Sequence, residues 1–308
     1  MAPRVLLIWN PVSTGVDAET LGTVSVTVAE HAELVTVHTR ESGDASRLAK
    51  TAATEGYDAV FVLGGDGTAN EVVNGLGNAL PLGVLPAGGT SVLPRALGLP
   101  DGIEDCAAHL CKALLDGSTR SVSLGTLNDR RFAFAGGVGL DAEIVQRIEE
   151  RGRGGEGVDA KRPGDIWFLR EAIGLLVSGD YAQPRLRVYL DGEPDPLPAA
   201  TVFIANCDPW SYAGPLPLRV APDASFEDGL DLVLIESVQA RSAPGRIGSL
   251  LRHKPSGDEG DGIRRLRNID KARIECDEPT AVQVDGEFLG KLDTIELGVI
   301  REGAVFLV

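Results

Sequence analysis

Three glycines in the segment VFVLGGDGTANEVVNG have the spacing of a phosphate-binding loop. Gly64, Gly65 and Gly67 follow an apolar run and precede a helical pattern. Glycine lets backbone amides approach a phosphate closely, and a helix N-terminus adds partial positive charge. The string is neither a P-loop nor a GxGxxG fingerprint, which disfavours P-loop NTPases and dinucleotide dehydrogenases. The alternative is a tight turn before a well-capped helix, since Thr68 and Glu71 have the spacing of a capping box.

The tripeptide Asp-Gly-Glu occurs twice after an alternating apolar run, at residues 191–193 and 285–287. Asp-Gly is common in hairpin turns, so the local pattern does not decide whether each copy is only a turn or part of a catalytic site. If Asp285 and Glu287 lie on one strand, they project to the same face, and their repulsion raises the pKa of one of them. Such a carboxylate can act as a general base toward a hydroxyl.

Length, charge and cysteine content limit the class of protein. The 308 residues suit two domains, and the formal net charge of -16 disfavours nucleic acid as a partner, because an acidic surface repels phosphate backbones. The four cysteines form no CxxC pair, which is typical of free thiols in a reducing compartment. No stretch reaches the roughly 18 apolar residues of a membrane span. We therefore expect a cytoplasmic protein whose membrane contact is only peripheral.

The order of strand and helix signals predicts two domains. Up to residue 122, apolar runs such as RVLLIWNP, AELVTVHT and YDAVFVLGGDGT alternate with helical patterns, which indicates a three-layer α/β domain with a mostly parallel sheet. From residue 123 to 308, short β runs follow one another, which indicates an antiparallel sandwich or barrel. A hairpin turning at Asn128 and Asp129 opens this second domain, and the final residues could pack back on the first.

Six motifs in order resemble the diacylglycerol kinase catalytic family of lipid kinases, which includes bacterial lipid kinases and sphingosine and ceramide kinases. They are NPVSTG, LGGDGTANEVVNGL, LPAGGTSVLPRALGLP, GGVGLDA, APDASFEDGLDLVLI and VQVDGEF, and they run nearly from end to end. The resemblance implies an N-terminal nucleotide domain and a C-terminal β-sandwich, in a two-domain architecture like that of NAD kinases, with catalysis in the cleft between the domains. It also implies transfer of the ATP γ-phosphoryl group to a lipid hydroxyl, with Mg²⁺ present.

The resemblance also implies roles for individual residues. Asp285 is expected to be the general base, Glu287 to share or take over that role, and Asp66 to act through a magnesium or water network. The SFEDGLD turn resembles a structural metal site of the family, with the Asp228 carboxylate and the carbonyls of Ser225 and Leu230 as ligands; a plain Asp-Gly turn is the alternative. The expected nucleotide-binding residues are Asn10, Pro11, Ser13, Thr39, Gly64, Gly65, Asp66, Gly67, Thr68, Asn70, Gly88, Gly89 and Thr90.

Three residues depart from the family pattern in the second glycine loop. Ser91 stands where family members usually have Asn, Val92 where many have Asp, and Pro94 where many have Ala. Proline fits only the first turn of a helix. Two alternatives to a lipid kinase therefore stay open: a lipid or nucleotide sensor that kept the fold without activity, and another kinase that shares the GGDGT string.

Two further features bear on partners. Asp141 in GGVGLDA either supports the active-site network or caps the helix that follows it. The amphipathic helix over IWFLREAIGLLVSGDY, residues 166–181, has a broad apolar face that is core packing or the wall of an acyl-chain entry. The expected partner is a lipid alcohol at a membrane surface, and the oligomeric state is left open, with a homodimer as one alternative.

Overall fold

The computed structural model describes residues 2–154, 181–213, 216–238, 257–258 and 262–308. The chain forms two compact units. The N-terminal unit comprises residues up to Leu124 together with Ile300–Val308, and the C-terminal unit comprises Gly125–Val299. The apolar helix predicted after Asp165 lies outside the described residues.

The N-terminal unit is an α/β domain. Its strands β1 to β4 pair in parallel in the order β2-β1-β3-β4, and β1 and β3 are buried along most of their length, as expected of parallel strands with both faces covered. Helix α2 packs against α3, and α1 packs against α5. The predicted mostly parallel sheet is thus confirmed. The elements are β1 (Arg4–Trp9), α1 (Ala18–Ala29), β2 (Glu33–His38), α2 (Asp44–Ala52), β3 (Ala59–Gly64), α3 (Asp66–Leu76), β4 (Leu82–Pro86), α4 (Val92–Ala96) and α5 (Ile103–Asp116).

Two strands belong to both units. Strand β5 (Thr119–Leu127) leaves the N-terminal unit, and the last strand, β17 (Glu287–Leu307), returns to it, where Phe306 pairs with Leu82 of β4. The hairpin predicted at Asn128 and Asp129 is present, since Leu127 pairs with Arg130.

The C-terminal unit is a β-sandwich of mainly antiparallel strands. Its elements are β6 (Arg130–Phe132), β7 (Ala135–Val138), α6 (Leu140–Gly154), β8 (Leu186–Leu190), β9 (Leu197–Ala199), β10 (Thr201–Ala205), β11 (Ser211–Ala213), β12 (Leu216–Leu218), β13 (Leu230–Ile235), β14 (Gly257–Asp258), β15 (Ile263–Ile269) and β16 (Lys271–Val284). Strand β13 is buried throughout: Leu232 and Leu234 join one hydrophobic cluster, while Val233 and Ile235 join another. Because successive side chains point to opposite faces, both faces of this strand are covered.

Candidate functional site

The first loop of the N-terminal unit ties the end of β1 to the start of α3. The backbone N–H of Asn10 donates to the carbonyl of Leu63 (3.0 Å), and its side-chain amide donates to the Thr68 hydroxyl (2.9 Å). The Asn10 side-chain oxygen accepts from the N–H of Val12 (3.1 Å), which forms the turn. Asn10 is therefore fixed where β1, β3 and α3 meet, while Pro11 is exposed.

The glycine string opens helix α3. The helix begins at Asp66, and the residue before it, Gly65, has no side chain that could cap it. A Cβ atom on Gly64 would lie 2.9 Å from the Cβ of Thr68, whereas one on Gly67 would meet nothing within 4 Å. The hydroxyl of Ser13 accepts from the N–H of Gly65 (3.3 Å). The helix start thus borders open space at Gly67.

The second glycine loop, residues 87–91, packs on both the loop after β1 and the glycine string after β3. A Cβ atom on Gly88 would lie 2.8 Å from the Cα of Gly65, and one on Gly15 would lie 2.9 Å from the carbonyl oxygen of Ala87. Gly89 and Thr90 next to it are exposed. We call residues 10–15, 64–68 and 87–91 together the glycine-loop site. Its three loops follow β1, β3 and β4 at the carboxyl ends of parallel strands, where ligands bind in open α/β sheets.

Asp66 holds the second glycine loop in place. Its two carboxylate oxygens accept the backbone N–H groups of Val92 and Leu93, each at 3.1 Å, at the start of α4. Pro94 lies in the first turn of α4, as predicted, where its missing N–H leaves no helical bond unmade. Ser91 adopts the left-handed conformation with φ +50°, and its hydroxyl accepts the N–H of Gly88 at 3.2 Å.

The capping box that the spacing of Thr68 and Glu71 offered as the alternative to phosphate binding is absent. Helix α3 starts two residues before Thr68, so Thr68 is not its N-cap. The Glu71 carboxylate instead accepts the N–H groups of Gly43 (3.0 Å) and Ala45 (3.1 Å) at the start of α2. Sequence spacing did not distinguish a cap within one helix from a cap on its neighbour.

Two of the expected nucleotide-binding residues are buried. Thr39 is 7% exposed, and its N–H donates to the carbonyl of Trp9 (2.9 Å). Asn70 is fully buried, and its oxygens accept the side-chain amide of Asn74 within α3. The structure places Asn70 in the packing of α3, leaves Gly67 half-buried in the first turn of that helix, and exposes Gly89 and Thr90.

In the C-terminal unit, Asp285 and Gly286 form the two-residue turn between β16 and β17. Val284 pairs with Glu287, and the positive φ angles of Asp285 (+47°) and Gly286 (+77°) are typical of a type I′ hairpin. The interpretation of Asp285 and Glu287 as neighbours on one strand is therefore wrong, because Asp285 lies in the turn. We call residues 284–287 the Asp285 hairpin.

The Asp285 carboxylate points inward. It is 3% exposed and accepts three backbone N–H groups, from Ala133 (2.7 Å), Phe134 (3.0 Å) and Ala135 (3.0 Å). Glu287 is more exposed and forms an ion pair with Arg130 at 2.5 Å. The carboxylate of Asp285 is held in one orientation, and that of Glu287 is held beside a guanidinium.

Asp141 and Gln283 extend this network. The Asp141 carboxylate, in the first turn of α6, accepts the Gln283 amide at 2.9 Å, and the Gln283 oxygen accepts the N–H of Gly286 at 3.0 Å. Burial raises the pKa of Asp141 to about 7, against the lowering effect of the Gln283 hydrogen bond. Of the two roles predicted for Asp141, the structure supports a link to the Asp285 hairpin.

The expected metal turn closes on itself. The carbonyl of Ser225 accepts the N–H of Asp228 (3.1 Å), and Leu230 enters strand β13. Across the described ranges, no group of three or more His, Cys, Asp or Glu side chains could hold a metal ion. The metal ligands thus remain a prediction that depends on backbone carbonyls.

The other Asp-Gly-Glu copy is a surface turn. Asp191, Gly192 and Glu193 are exposed and join β8 to β9. The two copies are therefore both turns, but only Asp285 turns its carboxylate inward.

Asn206 and Gln283 escaped the sequence analysis. Asn206 is fully buried, and its side-chain amide donates to the carbonyl of Ala133 (2.7 Å), on the segment that binds Asp285. Gln283 lies within the VQVDGEF motif without having been assigned a role there, and Asn206 lies in none of the six motifs. A buried Asn or Gln in an apolar strand run is the signal that could have found them, because such groups need partners.

Comparisons with known proteins agree with this architecture. Residues 4–148 match the family model of the diacylglycerol kinase catalytic domain, and residues 159–299 match that of the YegS C-terminal NAD kinase beta sandwich-like domain. The chain is 25% identical over 264 residues to a diacylglycerol kinase of Bacillus subtilis (strain 168), covering 82% of this chain and 78% of the relative. It is 28% identical over 280 residues to a diacylglycerol kinase of Staphylococcus aureus (strain Newman), covering 87% and 80%.

Solved structures share the fold. A chain from Bacillus anthracis (strain Sterne) superposes with a TM-score of 0.75 at 24% identity, covering 99% of this chain and 96% of that one. A second structure, described as a diacylglycerol kinase from the same strain, gives a TM-score of 0.71 at 21% identity with the same coverage. Within the part of the chain that the structure describes, no helix is long and apolar enough to cross a membrane.

Proposed function

The chain belongs to the diacylglycerol kinase catalytic-domain family, and we propose that it transfers the γ-phosphoryl group of ATP to the hydroxyl of diacylglycerol or a related lipid alcohol. The observation that carries the proposal is the glycine-loop site, where Gly15, Gly65 and Gly88 let three backbone segments touch at the carboxyl ends of parallel strands. Phosphoryl transfer depends mainly on positioning and electrostatic stabilisation, which rigid amide donors supply.

The ATP phosphates would bind at the start of α3. Gly65 places no side chain at the helix N-terminus, and the space beside Gly67 is open, so a phosphate can approach the start of α3 there. Ser13, Gly89 and Thr90 border the same site. Asn10 acts indirectly in this proposal, since it fixes the first turn of α3 through Thr68.

Magnesium would accompany the nucleotide and neutralise phosphate charge. Asp66 is the carboxylate of the glycine string, and each of its oxygens already accepts one N–H group. A carboxylate offers about four acceptor positions, so Asp66 can hold α4 and also bind a metal or its water. For the second proposed metal site, the Asp228 turn, the ligands are one carboxylate and the carbonyls of Ser225 and Leu230, a set that suits a hard cation.

Asp285 is our proposed general base, with Glu287 as the alternative. Three N–H groups orient the Asp285 carboxylate, whereas Glu287 is the more accessible of the two and is oriented by Arg130. A base must lie within hydrogen-bond reach of the hydroxyl that it activates. The lipid would be taken from a membrane surface by a cytoplasmic protein in peripheral contact with it.

The test is phosphorylation of a panel of lipid alcohols by the purified protein with labelled ATP and magnesium. We expect labelled phospholipid from at least one lipid alcohol, and none once magnesium is chelated. A folded protein that labels no lipid, or that labels a soluble acceptor in preference to every lipid, would refute the proposal.

Three variants identify the base. Asp191→Asn, at the exposed turn, is the matched control and should retain activity. Asp285→Asn should abolish transfer, but it also sets an NH₂ group against at least one of the three N–H donors, so its unfolding transition must be measured alongside. Glu287→Gln keeps a hydrogen bond to Arg130 and removes the charge. Loss of transfer in Glu287→Gln alone would assign the base to Glu287.

A second candidate is a regulator that binds lipid or nucleotide without catalysis. The left-handed Ser91 favours it, because this strained position in the second glycine loop is where the family pattern has Asn. ATP binding without turnover on any lipid would support this candidate.

A further inference from the structure

A glycine on β7 makes room for a buried carboxylate. Gly137 pairs directly with Gln283 of β16, and a Cβ atom on Gly137 would lie 1.9 Å from one oxygen of Asp141. The Asp141 carboxylate therefore fills the space that a side chain at position 137 would occupy, on one face of the paired strands β7 and β16. Strand β16 leads to the Asp285 hairpin. Any larger residue at Gly137 would displace this carboxylate.

The two hydrogen bonds of the Gln283 side chain fix the orientation of its amide group. Its amide N–H₂ group donates to Asp141, and its oxygen accepts the N–H of Gly286. A flipped amide would set its oxygen against the carboxylate and its N–H₂ against an N–H donor. Asp141 thus determines the orientation in which Gln283 can bind the turn.

Two observations indicate that Asp141 does more than fill space. Its Oδ1 atom is buried and, among the described residues, makes no hydrogen bond of normal geometry, although the nearby N–H of Ala142 lowers the pKa of the carboxyl. An unsatisfied buried carboxylate oxygen is destabilising, so an asparagine or an apolar residue would serve packing better. In addition, α6 makes a second contact with the same region, since the Glu149 carboxylate accepts the N–H of Phe288 at 3.0 Å.

We propose that Asp141 is a positioning residue that holds the Asp285 hairpin in its reactive geometry through Gln283. This inference rests on the proposed kinase function, because it concerns the hairpin that carries Asp285. Ionised Asp141 is the stronger acceptor for the Gln283 amide, so the hairpin is held most firmly when Asp141 is charged. Activity should then fall as Asp141 takes up a proton.

The surroundings of Asp141 contain few other groups that titrate. Strands β7 and β10, which pack on α6, hold no titratable side chain, and β16 presents none between Glu278 and Asp285. On α6 itself, Glu143 is paired with Arg147 and bonded by Tyr181, and Glu149 binds Phe288. Near the turn, Glu287 is paired with Arg130. A single transition near pH 7 can therefore be assigned by removing Asp141 alone.

The experiment compares wild type with Gln283→Leu, Asp141→Asn and a control, Glu150→Gln, on the exposed side of α6. Gln283→Leu should lower kcat between about tenfold and a hundredfold, as expected from displacement of a reacting group, with the KM for ATP unchanged. Wild-type kcat should fall as pH drops through about 7, and Asp141→Asn should lose this limb of the pH profile. Glu150→Gln should behave as wild type.

Hydrogen exchange of the Gly286 amide provides a readout that does not need activity. Exchange should be slow in wild type and clearly faster in Gln283→Leu. Unchanged Gly286 exchange in Gln283→Leu, or a pH limb that persists in Asp141→Asn, would overturn the inference. If wild-type protein phosphorylates no lipid but its Gly286 amide exchanges slowly as expected, the proposed kinase function is rejected. The contacts from Asp141 through Gln283 to Gly286 then have no catalytic role.

Discussion

Gly88 approaches Gly65 so closely that a Cβ atom on Gly88 would lie 2.8 Å from the Cα of Gly65. The contact is between backbones, which cannot move aside as a flexible side chain can. The two residues follow β4 and β3, so the contact sets the distance between the two glycine loops. The glycine-loop site therefore depends on the absence of side chains as much as on any functional group.

Gly88→Ala should destabilise the N-terminal unit. Separating the two backbones is a form of overpacking, which typically lowers the free energy of unfolding by about 1–3 kcal/mol. The neighbouring Gly89→Ala is the matched control, because its nearest contact is the Thr14 hydroxyl at an ordinary 3.8 Å. Urea unfolding of both variants checks this, and equal stabilities would contradict the observed contact.

Gly67→Ala should separate stability from binding. A Cβ atom there meets nothing within 4 Å, and alanine favours a helix over glycine by up to about 1 kcal/mol, so stability should be kept or raised. The methyl group would occupy the space proposed for phosphate, and ATP affinity should fall by about tenfold, or roughly 1.4 kcal/mol. Calorimetric titration with ATP measures this. Gly22→Ala, exposed on α1, should leave affinity unchanged, and an equal loss in both variants would contradict the site.

Ser91→Asn should stabilise the protein. Ser91 has φ +50°, a conformation that Asn tolerates better than most residues. Relief of this strain should raise the free energy of unfolding by about 1 kcal/mol. Ser91→Ala keeps the strain and removes the bond to Gly88, so thermal unfolding should rank Asn above Ser and Ser above Ala. A Tm for Ser91→Asn below that of Ser91→Ala would count against strain at this position.

Glu71→Ala should loosen helix α2. The carboxylate caps α2 by accepting the N–H groups of Gly43 and Ala45, and the loss of a helix cap lowers stability by about 0.5–2 kcal/mol. Glu30→Ala, at an exposed position, is the control. Denaturant unfolding and amide exchange at Ala45 measure the effect, and exchange as slow as in wild type would contradict the cap.

Asp141→Asn should change how stability depends on pH. The folded pKa of Asp141 is raised to about 7 from the ordinary 3.8, so the folded state binds more protons than the unfolded state between these values. Stability from this group is therefore greatest below about pH 4, falls as pH rises to 7, and levels off above. The fall is on the order of 4 kcal/mol at most.

The asparagine variant lacks this ionisation. As pH rises from 4 to 7, its free energy of unfolding should therefore increase relative to that of wild type. Denaturant titration at several pH values measures this difference. Parallel curves for the two proteins would mean that Asp141 is not buried in the way described.

Local pattern predicted the elements that determine the site. The alternation of apolar runs with helical segments indicated the parallel sheet, and the residues of the GGDGT string and of the second glycine loop lie where that order puts them. The local pattern did not predict the contacts in which a side chain bonds to a different element. Glu71 caps α2 rather than α3, and Asp285 lies in a turn rather than on a strand beside Glu287.

The sequence by itself therefore determined the order of the elements and the family, because these depend on periodicity and on local motifs. Only the tertiary structure decided the partners: Gly88 with Gly65, Asp66 with the start of α4, and Asp141 with Gln283. These contacts join residues far apart in the chain, and no short-range pattern encodes which distant backbone a side chain will meet. The two Asp-Gly-Glu copies illustrate this, because both form turns, and only folding buries the carboxylate of one of them.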